Sequence, residues 1–409
     1  MHLTYLQWAI LGGAALPLIY YAGALCCAWD FFLQRDQPSI APLPGISLLK
    51  PMRGLDRETW ENLASFCRLD YPQFEILFGF DDHRDAAIPV VEKLIADFPG
   101  VHMRILVGSE AHGSNNKVNK LCRLAREAAY DLLVVTDSDT RVAPDYLRRL
   151  ASAFQNPRVG AATSLYRGMA SPNIWSELEA LHLSTDFLPS AVVATKLGVR
   201  FTLGATMAVR RAALAEIGGF EALADMAAED HELGSRLAAR GYQVVLVDAP
   251  IKTECSSQSF REFFQHQVRW AVVTRDSKPW GHLGFIFAQG LPWTLAASAV
   301  APSRTIALGF FAAYLILRVA VAFAAGAWGL QDSVVKKRWW LFPLGDALGF
   351  LVWLCSLFKH RVYWQGIAYD VRRGQLIPVT ANTKGAAPSL AEGRSSFRPE
   401  SYHSSKPVH

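Results

Sequence analysis

From Leu3 through Trp29 the chain carries no charged residue. A helix needs roughly 20 apolar residues to cross a hydrocarbon core, and inside lipid the backbone must satisfy its own hydrogen bonds. The segment is therefore expected to be a retained membrane anchor. A cleaved signal peptide would have a shorter apolar region behind a basic stretch, whereas only His2 stands before this one. Arg35, Lys50 and Arg53 follow it. Positive residues favour the cytoplasmic side, which places the next domain in the cytoplasm. Three further apolar stretches, Leu283–Ala301, Thr305–Leu330 and Trp339–Phe358, lie near the other end. With 51% hydrophobic and 19% charged residues among 409, the chain is more apolar than an ordinary soluble protein. The excess sits at the two ends and brackets a soluble domain.

The expected division is an anchor over 1–33, a proline-rich linker over 34–45, a cytoplasmic domain over 46–280, membrane segments over 281–360, and a tail over 361–409 that is basic and then, from Thr380, disordered. Arg318 interrupts the second C-terminal stretch and Asp346 the third. Ionisable groups at membrane depth are costly and tend to pair. The two are expected to approach each other or a polar headgroup, unless one segment is re-entrant and leaves its charge near water. Lys336-Lys337-Arg338 and the basic tail (Lys359, Arg361, Arg372, Arg373) both ask for the cytoplasmic side. Three full crossings cannot grant both, so the number of crossings stays open.

Between the membrane segments, strand and helix patterns alternate. Strands are expected at Ile46–Leu49, Phe74–Phe80, His102–Val107, Leu132–Val135 and Gly160–Leu165, with helices at Glu58–Arg68, Ala86–Asp97, Asn116–Ala129 and Pro144–Phe154 between them. That alternation predicts an α/β fold with a mostly parallel sheet and helices on both faces. The second half is less regular. A long helix over Ile174–Lys196 contains Pro189, strands are expected at Thr202–Val209 and Tyr242–Val247, and helices at Arg211–Ile217, Ala227–Arg240 and Ser259–Arg275.

Six cysteines form no Cys-x-x-Cys pair, which argues against a zinc or dithiol redox site. The net charge of +5 comes without a basic patch interleaved with aromatics, so nucleic acid is not an expected partner.

Four charged stations stand at element ends. Asp81-Asp82 ends one strand, Asp137-Ser138-Asp139 ends another, Glu229-Asp230 opens a helix, and Arg269-Trp270 precedes the membrane region. In open α/β sheets ligands bind beyond the carboxyl ends of strands, and a hard divalent cation takes oxygen ligands together with substrate phosphates. A buried strand ending in Asp-x-Asp suits a nucleotide-diphosphate site.

On Ser47-Leu-Leu-Lys-Pro51, Leu69-Asp-Tyr-Pro72, Asp82-His83, Asn116-Lys117-Val-Asn119, Asp137-Ser138, Ala228-Glu-Asp230 and Arg269-Trp270, the chain resembles the ceramide glucosyltransferase-like family, glycosyltransferase family 21, with its bacterial hopanoid-biosynthesis relatives. The resemblance runs from about Ile46 to Trp270. It implies a GT-A fold (a Rossmann-like, nucleotide-diphospho-sugar transferase domain) flanked by transmembrane helices, inversion at the anomeric carbon, and an active site of three aspartates with a (Gln/Arg)-x-x-Arg-Trp motif. Carried over, these are Asp82, Asp137, Asp230 and Arg269-Trp270. Two departures stand out. The motif's first position is His266, and the full Asp-x-Asp adds Asp139 as a metal ligand.

The chemistry of sugar transfer assigns roles to the same residues. The leaving diphosphate needs Mg²⁺ or Mn²⁺, held by Asp137 and Asp139, and a cation such as Arg269, whose fork suits phosphate oxygens. Asp82 would contact uracil or ribose. Lys117, at a helix N-terminus that favours anions, either helps bind the nucleotide or is an ordinary solvated lysine. Asp230 is the expected general base. Trp270 either stacks on sugar or acceptor, or marks the membrane interface. Gly204 would let backbone approach the sugar.

The expected function is transfer of one glucose or N-acetylglucosamine from a UDP-sugar to the hydroxyl of a membrane lipid, a hopanoid polyol or a ceramide, by a multi-pass protein of the bacterial inner membrane. A processive polysaccharide synthase is the alternative enzyme, though three C-terminal stretches make a channel hard to build. A non-catalytic nucleotide- or lipid-binding scaffold would not need the full acid set. An aspartyl-phosphate phosphatase is disfavoured by Arg141 in the motif's fifth position.

Overall fold

A computed structural model describes residues 4–34, 43–364 and 366–379. Most of the expected linker and the region from Thr380 lie outside the described residues. Eight strands form one sheet: β1 (Ile46–Pro51), β2 (Phe74–Phe80), β3 (His102–Val107), β4 (Leu132–Thr136), β5 (Thr140–Arg141), β6 (Val159–Ala170), β7 (Thr206–Arg210) and β8 (Gln243–Cys255), in the order β3-β2-β1-β4-β7-β6-β8-β5. Successive side chains of a strand face opposite ways, and here they sort into two cores. Ile46, Leu48, Ile76, Phe78 and Val134 join one, while Leu49, Leu77, Leu133 and Val135 join the other. Helices Thr59–Cys67 and Ile88–Asp97 supply Leu63, Phe66, Val91 and Leu94 to the first. Helices Asn116–Glu127 and Glu229–Ala239 supply Leu121, Leu124, Leu233 and Leu237 to the second.

The sheet is mostly parallel, with two strands, β7 and β5, running against the rest. Strands β1 to β4 run parallel, but β7 pairs antiparallel with both β4 and β6, and β5 runs antiparallel to β8. The expected Thr202 strand begins only at Thr206, because Leu203 and Thr206 close a tight turn. β6 and β8 are both longer than expected; they pair in parallel through two register irregularities. Alternation of polarity ends where a bulge begins, so periodicity alone stopped short.

Among the described residues, three helices are long and apolar enough to cross a membrane: Tyr5–Leu33, Arg304–Gly329 and Ser333–Ser356. The first is opened by a capping box between Thr4 and Gln7. The Leu283–Ala301 stretch is not one straight helix. Pro279–Ala288 and Gly290–Val300 meet at 51°, as a broken span or a re-entrant loop. A Cβ on Gly290 would meet the Tyr21 ring at 2.5 Å, so the break is where the anchor helix approaches closely.

Arg318 and Asp346 do approach each other, Nη2 to Oδ1 at 2.9 Å, and both are buried. The reason lies in a third segment. The expected Ile174–Lys196 helix is continuous but widens to a π-turn over Leu183–Phe187. Pro189 has no N–H to give the Thr185 carbonyl four residues back. Arg318 Nη1 fills that vacancy at 3.0 Å, and its Nη2 reaches Asp186 at 2.9 Å.

The basic segment after the last membrane helix also has structure that the sequence pattern did not disclose. β9 (Arg361–Trp364), β10 (Ile367–Arg372) and β11 (Gln375–Pro378) form a separate antiparallel sheet.

Candidate active site

Residues 137–139 are held between β4 and β5. Lys50 Nζ and Thr140 Oγ1 both donate to the Asp137 carbonyl, at 3.0 and 2.7 Å. The Glu254 amide donates to the Asp139 carbonyl at 3.2 Å, and Thr253 Oγ1 donates to Asp139 Oδ2 at 3.1 Å. Asp139 Oδ1 is buried with no hydrogen-bond partner. Burial, with the charges of Asp137 and Asp56 beside it, pushes the Asp139 pKa up to about 8. A buried orphan carboxylate oxygen next to a second carboxylate is what a hard divalent cation would satisfy. On that observation the residues present fit Mg²⁺ or Mn²⁺.

Lys117 is neither solvated nor free. Asn115 caps its helix by accepting from the Lys117 and Val118 amides, and the same Asn115 donates to the Met226 carbonyl at 2.9 Å and to Glu229 Oε2 at 3.2 Å. This ties two helix N-termini together. Lys117 Nζ then bridges Asp137 Oδ1 at 2.8 Å, Glu229 Oε1 at 3.1 Å and the Gly204 carbonyl at 3.2 Å. Burial opposes its charge, but the Asp137 and Glu229 carboxylates outweigh that and raise its pKa.

Asp230 opens the Glu229–Ala239 helix. Its Oδ1 accepts from the His231 amide at 2.7 Å, and among the described residues its Oδ2 accepts no hydrogen bond. A Cβ built on Gly204 would sit 3.1 Å from that Oδ2, so the glycine gives backbone access to the acid. Burial first, and the neighbouring Glu229 charge second, push the Asp230 pKa up to about 7, with Lys117 opposing.

Arg269 lies on the Phe260–Ser277 helix with its guanidinium 5.9 Å from the Trp364 ring. Among the described residues it has no ion pair or hydrogen bond, and burial lowers its pKa to about 10. It remains a cation at neutral pH and is free to take an anion. Trp270 packs against the core and against His266, ring centroids 4.6 Å apart. Asp82 stands apart. Its carboxylate is exposed and accepts from the Arg84 amide at 3.0 Å, and no hydrogen bond joins it to the other acids among the described residues.

Several residues at the site were given no role by the sequence pattern. Lys50, buried inside β1 over the Phe66 ring, has its pKa lowered to about 7 by burial against the pull of Asp137 and Asp139. A lysine within a short, fully buried strand was the available clue. Asp56 carries a second orphan oxygen, Oδ2, and burial raises its pKa. Glu179, buried on the Ile174–His182 helix, lies 2.6 Å from His266 Nδ1. The unusual histidine is thus answered by a distant acid. Burial works against the Glu179 charge, but the His266 and Ser257 hydrogen bonds prevail and lower its pKa.

Comparison with known proteins places this geometry in context. The profile of glycosyl transferase family 21 matches residues 9–377. Ceramide glucosyltransferase 1 of Caenorhabditis elegans is 30% identical over 273 residues, covering 66% of this chain and 58% of the relative. Beta-monoglucosyldiacylglycerol synthase of Synechocystis sp. is 24% identical over 275 residues, 66% of this chain and 55% of that protein. The chain thus spans less than two thirds of these relatives' own length. Among solved structures, the mannosyltransferase PcManGT from Pyrobaculum calidifontis, in complex with GDP-Man and Mn2+, superposes with a TM-score of 0.51 at 18% identity, covering 86% of this chain and 99% of that one. The fold is that of a GT-A glycosyltransferase with added apolar helices, and the chain belongs to glycosyl transferase family 21.

Proposed function

We propose that this family 21 member transfers one sugar, glucose or N-acetylglucosamine, from a UDP-sugar to a hydroxyl of a membrane lipid, with inversion. The observation that carries the reading is the convergence of Asp137, Asp139, Lys117, Glu229 and Asp230 at one end of the sheet, with the Asp139 Oδ1 oxygen buried and unsatisfied. Names of relatives support a lipid acceptor, and they widen the candidates from ceramide and hopanoid polyol to diacylglycerol.

Asp137 and Asp139 are the residues to hold Mg²⁺ or Mn²⁺, which when bound neutralises charge on the leaving diphosphate. Lys117 fixes Asp137 and Glu229 at that place through its two ion pairs. Arg269, half-buried and without an ion pair among the described residues, takes diphosphate oxygens in a bidentate manner. The acceptor hydroxyl gives its proton to Asp230 Oδ2 as its oxygen attacks the anomeric carbon from the face opposite the diphosphate. The bond from that carbon to the diphosphate oxygen breaks, and UDP leaves with the electron pair. The His231 amide on Oδ1 holds the carboxylate in place. The membrane helices that follow Arg269 would bring the lipid to the site. Basic residues after the anchor support a cytoplasmic catalytic face in a bacterial inner membrane. Asp82, exposed just after β2, contacts the uracil or ribose.

The reading is tested by incubating the protein with labelled UDP-glucose or UDP-N-acetylglucosamine and each candidate lipid, with products identified by mass spectrometry. A single-sugar mass increment on a lipid is expected. A polymer ladder would indicate a processive synthase, and UDP binding without turnover a scaffold. Asp139→Asn should weaken the divalent-cation dependence of UDP binding by about tenfold or more, since even outer partners of a metal site are worth that much. An unchanged cation titration would remove Asp139 from the metal site.

A further inference from the structure

The small sheet that follows the last membrane helix returns to the acids. Its β10–β11 turn is Arg373-Gly374, both at positive φ (51° and 78°), as a two-residue hairpin with matching twist requires. The Gly374 carbonyl accepts from the Ala227 amide at 2.8 Å, the Leu376 amide donates to the Asp225 carbonyl at 2.8 Å, and the Gly374 amide donates to Asp276. Met226 bridges Gln375. The loop that presents Glu229-Asp230 is thus bound by backbone to the C-terminal sheet. On β10, the Tyr369 hydroxyl reaches the carbonyl of Ser114, just before the Lys117 helix, at 3.4 Å. On β9, Trp364 lies beside the Arg269 guanidinium. The sheet is anchored by Val362, Tyr369, Val371 and Leu376, packed on Val268 and Val272 and on Val352 of the last membrane helix.

We propose that this sheet is a wall of the donor site and that Trp364 is a positioning residue for Arg269. A guanidinium with no carboxylate partner would otherwise sweep its rotamers, and ordering it at the moment of binding costs affinity. The indole face holds the cation by its quadrupole without neutralising it, so the full positive charge stays available to a diphosphate. A carboxylate in the same position would compete with the ligand. The inference rests on Arg269 meeting the donor diphosphate.

The test is UDP binding by calorimetry with Mn²⁺, and steady-state kinetics with UDP-sugar, on the full chain. Trp364→Ala and Trp364→Leu should raise the UDP Kd and the donor KM by about three- to thirtyfold, the range of a cation–π contact, with kcat little changed. Trp364→Phe should restore most of the affinity. In an Arg269→Ala background, Trp364→Ala should add nothing further. Thermal unfolding of Trp364→Leu, which keeps apolar bulk, separates loss of the ring from loss of the fold. If Trp364→Leu binds UDP normally while Arg269→Ala does not, the positioning role is wrong and the donor site stands. If Arg269→Ala also binds normally, the reading beneath it is wrong.

Discussion

Asp230→Asn should lower the rate of sugar transfer by about 10²–10⁴-fold, the usual worth of a positioned general base, while UDP binding stays near that of the parent. The amide is close to isosteric and can still accept the His231 N–H, so the local helix start is kept. What it cannot do is take the acceptor's proton. The pH profile gives an independent check. Burial and Glu229 raise the Asp230 pKa to about 7, and the base works only when deprotonated. Transfer should therefore be complete above that value and fall as pH drops through it. An unshifted aspartate would keep its activity down to about pH 4. The residual rate of Asp230→Asn should lose this acidic limb. Near-normal turnover of the variant, or a limb that stays, would take the base role from Asp230.

Arg318→Met should destabilise the protein by about 3–5 kcal/mol, the cost of stranding one partner of a buried ion pair. The guanidinium is 2% exposed and serves Asp346, Asp186 and the Thr185 carbonyl together. Without it, Asp346 keeps only the Tyr314 hydroxyl at 2.6 Å, and the Thr185 carbonyl loses the donor that Pro189 cannot supply. Lysine should rescue poorly, because a single ammonium cannot span three acceptors as a planar fork does. Pairing Arg318→Met with Asp346→Asn should recover part of the loss by removing the uncompensated charge. Thermal unfolding in detergent measures all of these. A melting temperature unchanged in Arg318→Met would show that the network holds nothing together.

Much of this was readable beforehand because it is local. Strands β1 to β4 and their helices follow from period-2 and period-3.6 patterns, and Asp137-Ser138-Asp139 announces itself by ending a run of buried-strand residues. For Arg318 and Asp346 the sequence offered each other, a polar headgroup or a re-entrant segment, since lipid leaves a charge few partners, and the structure pairs them. Where the pattern misled, a non-local event intervened. β7 runs antiparallel because the Leu203–Thr206 turn redirects the chain, and no hydropathy period encodes strand direction. Lys117 read as a choice between nucleotide contact and solvent, and neither alternative includes its actual partners, which lie 20 residues on at Asp137 and far beyond at Glu229.

From residue order alone came the membrane segments, the α/β class, the family, and the acids and guanidinium on which a site could be built, because apolar runs and element-end charges are properties of neighbours along the chain. Tertiary structure decided which of those groups meet. It joined Lys117 to Asp137 and Glu229, gave His266 its Glu179, left the Asp82 carboxylate exposed, and brought residues beyond the last membrane helix back to Arg269. The physical reason is that burial and pairing are set by side chains distant in sequence, and a carboxylate's charge, proton affinity and free lone pairs depend on them rather than on its flanking residues.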